Sequence, residues 1–419
     1  MHLELLTIGD ELLLGFTVDT NGAWLARELA AHGIMVTRRT SVSDDAAEIA
    51  AAVEAALART GAVITTGGLG PTSDDLTKPA IAKLFGRAMH EDARVVESLH
   101  QRWTSLGRRG EIPRSNLQQA LIPDGAEILA NGHGTAPGIW LEDDRGRWAA
   151  MLPGVPREMR GMFADALLPR ILRHVTNTQT VVRSHTVRTT GIAESALSDR
   201  IRALPAFDLE GLSLAYLPGW EGVDLRLTAR RLDAAEADAR LARVAASLRA
   251  AAGKHVYGEG SEDLAGAVLA DLRTAGKRIA VAESCTGGLL GARLTAIPGA
   301  SDVMLGGIIA YHNDVKQHAL GVRAETLQAH GAVSEEAARE MAAGVRRALG
   351  AEVGVAITGI AGPDGGTPEK PVGTVCIAAD DAGIVESFRA IMIGDRQEIR
   401  QRSAQSALSL VRRLLRREA

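Results

Sequence analysis

Apolar residues come in short runs separated by stretches with helical periodicity, and the order of the two changes twice along the chain. From the start, the pattern predicts a strand over 3–8, a helix over 22–32, a strand over 34–40, a helix over 45–59 and a strand over 62–66. A βαβαβ rhythm of this kind implies a mostly parallel sheet covered by helices on both faces, with ligands beyond the carboxyl ends of the strands. The middle of the chain reads differently: strand 181–189, helix 193–204, strands 212–217 and 223–230, helix 234–252 and strand 254–257. That βαββαβ order is typical of a small α+β module. Beyond it, a helix to Ala275, a strand over 278–282, a helix running to Thr295, strands over 303–311, 353–357 and 373–378 and a terminal helix after Asp395 make a second three-layer unit. The expected fold class is therefore α/β, two three-layer α/β domains joined by a small βαββαβ α+β domain. The boundaries are expected at 1–175, 176–258 and 259–419.

Composition narrows the function classes. The 419 residues carry a net charge of −4 and only 3% aromatics. Neither a polyanion-binding surface nor a platform for stacking bases is expected, and direct nucleic-acid contact starts with little support. No apolar run reaches the ~20 residues that span a bilayer, so no membrane role is expected. Two distant cysteines, Cys285 and Cys376, form neither a disulfide framework nor a CxxC metal motif, which fits a reducing cytoplasm.

Two regions carry candidate chemistry. In the first, Gly67-Gly68-Leu69-Gly70 follows a strand, where glycine lets backbone N–H groups approach an anion closely. Asp74 and Asp75 follow, and Asp10 and Glu11 end the first strand at the same sheet edge, where carboxylates suit a divalent metal bridging to phosphate. The plainer alternative is a tight turn followed by helix-capping aspartates. The segments Thr65 to Asp75, Gly9 to Leu13 and Leu152 to Pro156 resemble the molybdopterin-binding MoaB/MogA-like fold and, more closely, the N-terminal half of the CinA family. That resemblance implies divalent-metal-dependent hydrolysis of ADP-ribose to AMP and ribose 5-phosphate. The loop and the acidic pairs suit such a pyrophosphate, with Asp10, Glu11, Asp74 and Asp75 as the expected metal ligands and Gly67, Gly68 and Gly70 as the expected substrate contacts.

In the second region, Ser284 ends a strand ahead of Cys285-Thr286-Gly287-Gly288, placing a nucleophile at the start of a predicted helix. Serine needs a base, and Tyr311 and Lys316 follow the next strand; a lysine desolvated beside Ser284 can act as one. Cys285, with His312 as its base, is the rival nucleophile. The segments 282–288, Tyr311-x-Asn313-x-x-Lys316, 331–335, 358–366 and Gly394-Asp395-Arg396 resemble the CinA C-terminal domain, PncC, block by block. The resemblance implies deamidation of nicotinamide mononucleotide to nicotinate mononucleotide and ammonia, without a cofactor. On it Ser284 is the nucleophile, Lys316 and Tyr311 assist, and Thr286, Gly287, Gly288, Thr358, Gly359 and Arg396 hold the substrate. The expected protein is a cytoplasmic homodimeric hydrolase of these two nucleotides. A molybdopterin-binding protein and a non-catalytic competence or DNA-damage partner are the alternatives.

Overall fold

A computed structural model describes residues 1–72, 74–105, 107, 110, 112–174, 181–205 and 207–416. The expected domain boundary at 175/176, the end of the first domain's last helix and Ser73 lie outside the described residues. By its contacts the chain divides into two compact units, Met1–Arg183 with Ala229–Asp238, and Ser184–Thr228 with Ala239–Ala419.

The first stretch contains β1 (His2–Ile8), α1 (Asp10–Leu13), α2 (Thr20–Ala31), β2 (Met35–Val42), α3 (Ala46–Thr60), β3 (Ala62–Thr66) and α4 (Thr77–Leu84). It continues through β4 (Met89–Glu91), α5 (Ala93–Ser105), α6 (Arg114–Leu117), β5 (Leu121–Pro123), β6 (Glu127–Leu129), β7 (Gly138–Glu142), β8 (Trp148–Leu152), α7 (Pro156–Met162) and α8 (Leu168–His174). Six of these strands form one sheet in the order β2-β1-β3-β8-β7-β6. The β2-β1-β3-β8 pairs run parallel and β8-β7-β6 antiparallel. Alternate residues of β1 feed opposite faces: Leu6 and Ile8 pack with α3, while Leu3 and Leu5 pack with Leu25 and Leu29 of α2. Burial on both faces explains why these strands read as continuous apolar runs rather than alternating ones.

The middle stretch is β9 (Val181–Thr189), α9 (Glu194–Arg202), β10 (Ser213–Pro218), β11 (Val223–Leu232), α10 (Ala234–Ala252) and β12 (Val256–Glu259), with sheet order β10-β11-β9-β12. The last contains α11 (Leu264–Ala275), β13 (Ile279–Glu283), α12 (Leu289–Thr295), β14 (Met304–Ile309), α13 (Asn313–Leu320), α14 (Ala324–His330) and α15 (Glu335–Leu349). It ends with β15 (Val353–Gly359), β16 (Thr374–Asp381), β17 (Ile384–Ile391) and α16 (Arg396–Leu415). Its sheet order is β14-β13-β15-β16-β17, with β13 parallel to both neighbours and β15-β16-β17 antiparallel. One face carries Val281, Val355 and Ile377 against α11 and α16, and the other is almost all small: Ala280, Ala282, Ala356, Cys376 and Ala378. Small residues let α15 lie close on that face: a Cβ on Gly354 would stand 2.1 Å from the Ala342 carbonyl. The fold is thus α/β with three main sheets, and the scarcity of aromatic residues reflects close packing by alanine and glycine.

Two expectations shift. The helix expected to open at Ser284 begins only at Leu289, after a turn. The hairpin partner β17 was not expected from the pattern, because it is a half-exposed edge strand with Glu386, Ser387 and Arg389 breaking the apolar alternation.

Candidate functional sites

The second unit brings Ser284 and Lys316 together in one compact arrangement. β13 is the central parallel strand, and Ser284 follows its last residue. The Ser284 N–H donates to the Ile357 carbonyl of β15 at 2.9 Å, so the sheet itself fixes the serine backbone. Beside it, β14 ends and α13 begins; His312 caps α13 and Lys316 sits one turn in, on the buried side. Lys316 Nζ donates to Ser284 Oγ at 3.2 Å, to the Ala310 carbonyl at 2.8 Å and to the Tyr311 carbonyl at 3.1 Å. The lysine is 1% exposed and Ser284 8% exposed. Burial lowers the lysine's pKa from its usual 10.5, because the ammonium loses its hydration. An ammonium has three N–H groups for these three oxygens; once one proton leaves, the two carbonyls hold the remaining pair and the lone pair faces the serine hydroxyl.

Cys285 has the opposite character. Burial pushes its thiol up to about 12, so at neutral pH it is a protonated, packed side chain and not a thiolate. His312 engages Asp314 instead of the cysteine.

Several expected contacts are arranged differently. Tyr311 is 61% exposed; its carbonyl holds Lys316, while its hydroxyl meets Arg396 at 3.2 Å. Its part in supporting the lysine is therefore played by the main chain. Arg396, at the start of α16, also donates to the Gly362 carbonyl, so one guanidinium links the loops after β14 and β15. Thr358 is buried and donates to the Ala332 carbonyl, and Thr286 is fully buried, its hydroxyl without a partner among the described residues. Neither threonine side chain faces open solvent as the fold stands. Gly287 and Gly288 lie in the turn itself, and Gly359 ends β15 beside the Thr374 carbonyl.

The amides expected to cradle an oxyanion at the start of α12 are already engaged. Those of Gly288, Leu290 and Gly291 donate to the Glu283 carboxylate at 3.1, 3.0 and 2.8 Å, and that of Gly287 donates to the Ser284 carbonyl. The amides of Cys285 and Thr286 have no carbonyl or carboxylate partner among the described residues. Sequence reasoning passed over two groups here, Glu283 and Arg400, whose guanidinium donates to the Thr286 carbonyl at 2.7 Å.

The first unit carries its candidates near the carboxyl ends of β1 and β3; of them Glu11 lines a cleft there, with Thr7, Asp19, Asn21, Thr66 and Gly154. Gly67 (φ 108°) and Gly68 (φ 65°) take backbone angles unfavourable to other residues, and a Cβ would strike the Ile8 carbonyl at 2.2 Å or the Thr77 hydroxyl at 2.1 Å. The loop is therefore packed against the strand end and the start of α4. Gly67 N donates to Leu152 O, and Gly70 N to Asp75, leaving the amides of Gly68 and Leu69 without a partner among the described residues. Leu69 is buried in the core.

The four expected carboxylates divide. Asp75 turns into its own loop, accepting from Gly70 N (2.6 Å), Thr72 N (2.7 Å) and the Thr72 hydroxyl (2.5 Å). The backbone N–H of Asp10 donates to the Asp44 carboxylate, and that of Asp44 donates to the Asp10 carboxylate. Burial, with the charges of Asp10, Glu11 and Asp74 adding to it, raises the Asp44 carboxyl's pKa, so these four acids share one region of negative potential. Among the described residues no three acidic, histidine or cysteine side chains already converge on a single ion position. The donors are hard oxygens beside a phosphate-compatible loop, which fits a magnesium-type ion that takes one or two carboxylates together with substrate phosphates. Asp75→Asn should loosen the Gly67–Gly70 loop, costing about 1–3 kcal/mol of stability in a denaturant titration. A midpoint unchanged from the parent protein would show that the carboxylate does not organise the loop.

Among the described residues no helix is long and apolar enough to cross a membrane. Three family models match in sequence: the "Probable molybdopterin binding domain" over 4–173, the "Damage-inducible protein CinA KH domain" over 184–258 and the "CinA C-terminal domain" over 261–415. A CinA-like protein of Gemmatimonas aurantiaca is 59% identical over 420 residues, spanning 100% of this chain and 97% of that one. A CinA-like protein of Frankia casuarinae is 45% identical, spanning 99% and 96%. Among solved structures, the protein CinA from Thermoplasma acidophilum is 33% identical, covering 41% of this chain and 97% of its own, with a TM-score of 0.37. With relatives matched along nearly their whole length and all three models in order, this chain belongs to the CinA family.

Proposed function

We propose that the second unit is a serine amidohydrolase that deamidates nicotinamide mononucleotide. The observation that carries this reading is the buried Lys316 amine held by two carbonyls with its third direction on Ser284 Oγ. Lys316 takes the hydroxyl proton as Ser284 attacks the carboxamide carbon. The C–N bond of the tetrahedral intermediate breaks, and Lys316 returns the proton to the departing ammonia. Water then hydrolyses the acyl-serine, giving the carboxylate of nicotinate mononucleotide. The amides of Cys285 and Thr286 are the groups at hand for the developing oxyanion. Arg396 suits the substrate's phosphate, exchanging its tie to the Tyr311 hydroxyl for two phosphate oxygens. The test is ammonia release from nicotinamide mononucleotide by the intact protein; no turnover sinks the reading.

For the first unit we propose hydrolysis of a nucleoside-diphosphate sugar, ADP-ribose in the first place, supported by the acidic edge beside the Gly67–Gly70 loop. One or two of the carboxylates of Asp10, Glu11, Asp44 and Asp74, together with the substrate's phosphates, would hold a divalent ion there, which when bound neutralises pyrophosphate charge and lowers the pKa of an attacking water. The amides of Gly68 and Leu69 and the side chain of Asn21 bind and orient the substrate. Assays of ADP-ribose hydrolysis with and without added divalent metal test this; AMP formation in neither condition refutes it. Both substrates are products of NAD breakdown, so the two activities would serve pyridine-nucleotide salvage.

A further inference from the structure

The turn that presents Ser284 is gripped from both ends by groups that touch neither the serine hydroxyl nor its base. Glu283 is 1% exposed, and no cation pairs with it among the described residues. Its charge is met by three peptide N–H groups, those of Gly288, Leu290 and Gly291, so the carboxylate ties the last residue of β13 to the first turn of α12. A buried carboxylate stays charged at little cost only when such donors surround it, and removing it leaves the same donors unsatisfied. At the other side Arg400, one turn after Arg396 on α16, holds the Thr286 carbonyl at 2.7 Å. Between these two anchors lie Ser284, Cys285 and Thr286, whose only other main-chain tether to the sheet among the described residues is the Ser284–Ile357 hydrogen bond.

We infer that Glu283 and Arg400 are positioning residues, a two-ended clamp that fixes the nucleophile turn so that the Ser284 hydroxyl stays on the Lys316 amine and the Cys285 and Thr286 amides stay free. The inference rests on the amidohydrolase reading of Ser284 for its kinetic consequence, but the clamp itself is a property of the resting protein. Misplacing a reacting group by about 1 Å can cost on the order of 100-fold in rate, and the clamp controls displacements of that size.

The test combines kinetics with amide hydrogen exchange. Glu283→Gln, which keeps one acceptor oxygen, and Arg400→Met should each lower kcat for ammonia release by about 100-fold with KM within about threefold, since substrate contacts are untouched. Arg400→Lys, which can still donate one bond, should recover part of that loss. In both damaging variants, exchange of the Gly288, Leu290 and Gly291 amides should quicken at least tenfold. A kcat within threefold of the parent for both variants, or a loss that appears only in KM, overturns the inference. If either variant fails to fold, the parent protein decides: Gly288, Leu290 and Gly291 amides should exchange at least 100-fold more slowly than those of Cys285 and Thr286, and equal rates refute the clamp. If the parent releases no ammonia, the amidohydrolase reading fails by itself, and the exchange comparison still judges the clamp.

Discussion

Ser284→Ala should reduce ammonia release from nicotinamide mononucleotide by on the order of 10⁴-fold or more, while Cys285→Ala keeps at least a tenth of the parent rate. The asymmetry follows from the surroundings of two adjacent residues. Ser284 Oγ lies 3.2 Å from an amine whose burial favours the neutral, proton-accepting form. The Cys285 thiol, pushed up to about 12 by burial in the core, stays protonated at neutral pH. Its loss removes a small packed side chain and keeps the backbone amide, so the expected damage is a stability cost of about 1 kcal/mol. A dead cysteine variant with a working serine variant would reverse the assignment. Trapping the acyl intermediate by mass spectrometry, one nicotinoyl nucleotide on the peptide containing Ser284, is the direct complement.

Lys316→Met should be nearly as damaging, lowering kcat by on the order of 10³-fold or more, and Lys316→Arg should not rescue it. A guanidinium keeps the positive charge but does not give up its proton in the accessible pH range, so rescue by arginine would mean that charge, not basicity, is what the site needs. The pH profile carries the same information. The reactive form has a neutral lysine, so the rate rises with pH as Lys316 loses its proton. Because burial depresses that pKa below 10.5, the rise should be centred below the range of an exposed lysine. A profile flat from pH 6 to 9, or one that falls as pH increases, would rule out Lys316 as the base.

Much of this arrangement is legible in the sequence, for identifiable reasons. The strands of the parallel regions are buried on both faces, so they appear as apolar runs with sharp ends, and β3 and β15 begin where the pattern says they should. Ser284 and Lys316 are legible because each follows a strand of the same sheet, and parallel neighbours bring their carboxyl ends together. Glu283 was hidden for a physical reason. A carboxylate at a strand end looks like a solvent-facing residue until the chain is known to fold back and present the amides five to eight residues on. A signal was present in the glycine pair that follows, which leaves a helix start without a side-chain cap of its own. Arg400 had no signal, being one basic residue among 47 Lys and Arg, and its partner is a carbonyl 114 residues away. The inward turn of Asp75 was equally hidden, since two consecutive aspartates look interchangeable until one is seen to close a loop.

The burial of Lys316 also bears on how the protein meets the chemistry of the cell around it. Neutral amines of lowered pKa are the lysines most readily acylated or carbamoylated by metabolites, and an exposed one would be lost to such adducts. Here the nitrogen is enclosed by Ala310, Tyr311 and Ser284, with 1% of the residue open to solvent. The same enclosure that favours the neutral amine also shields it from being spent on bystanders.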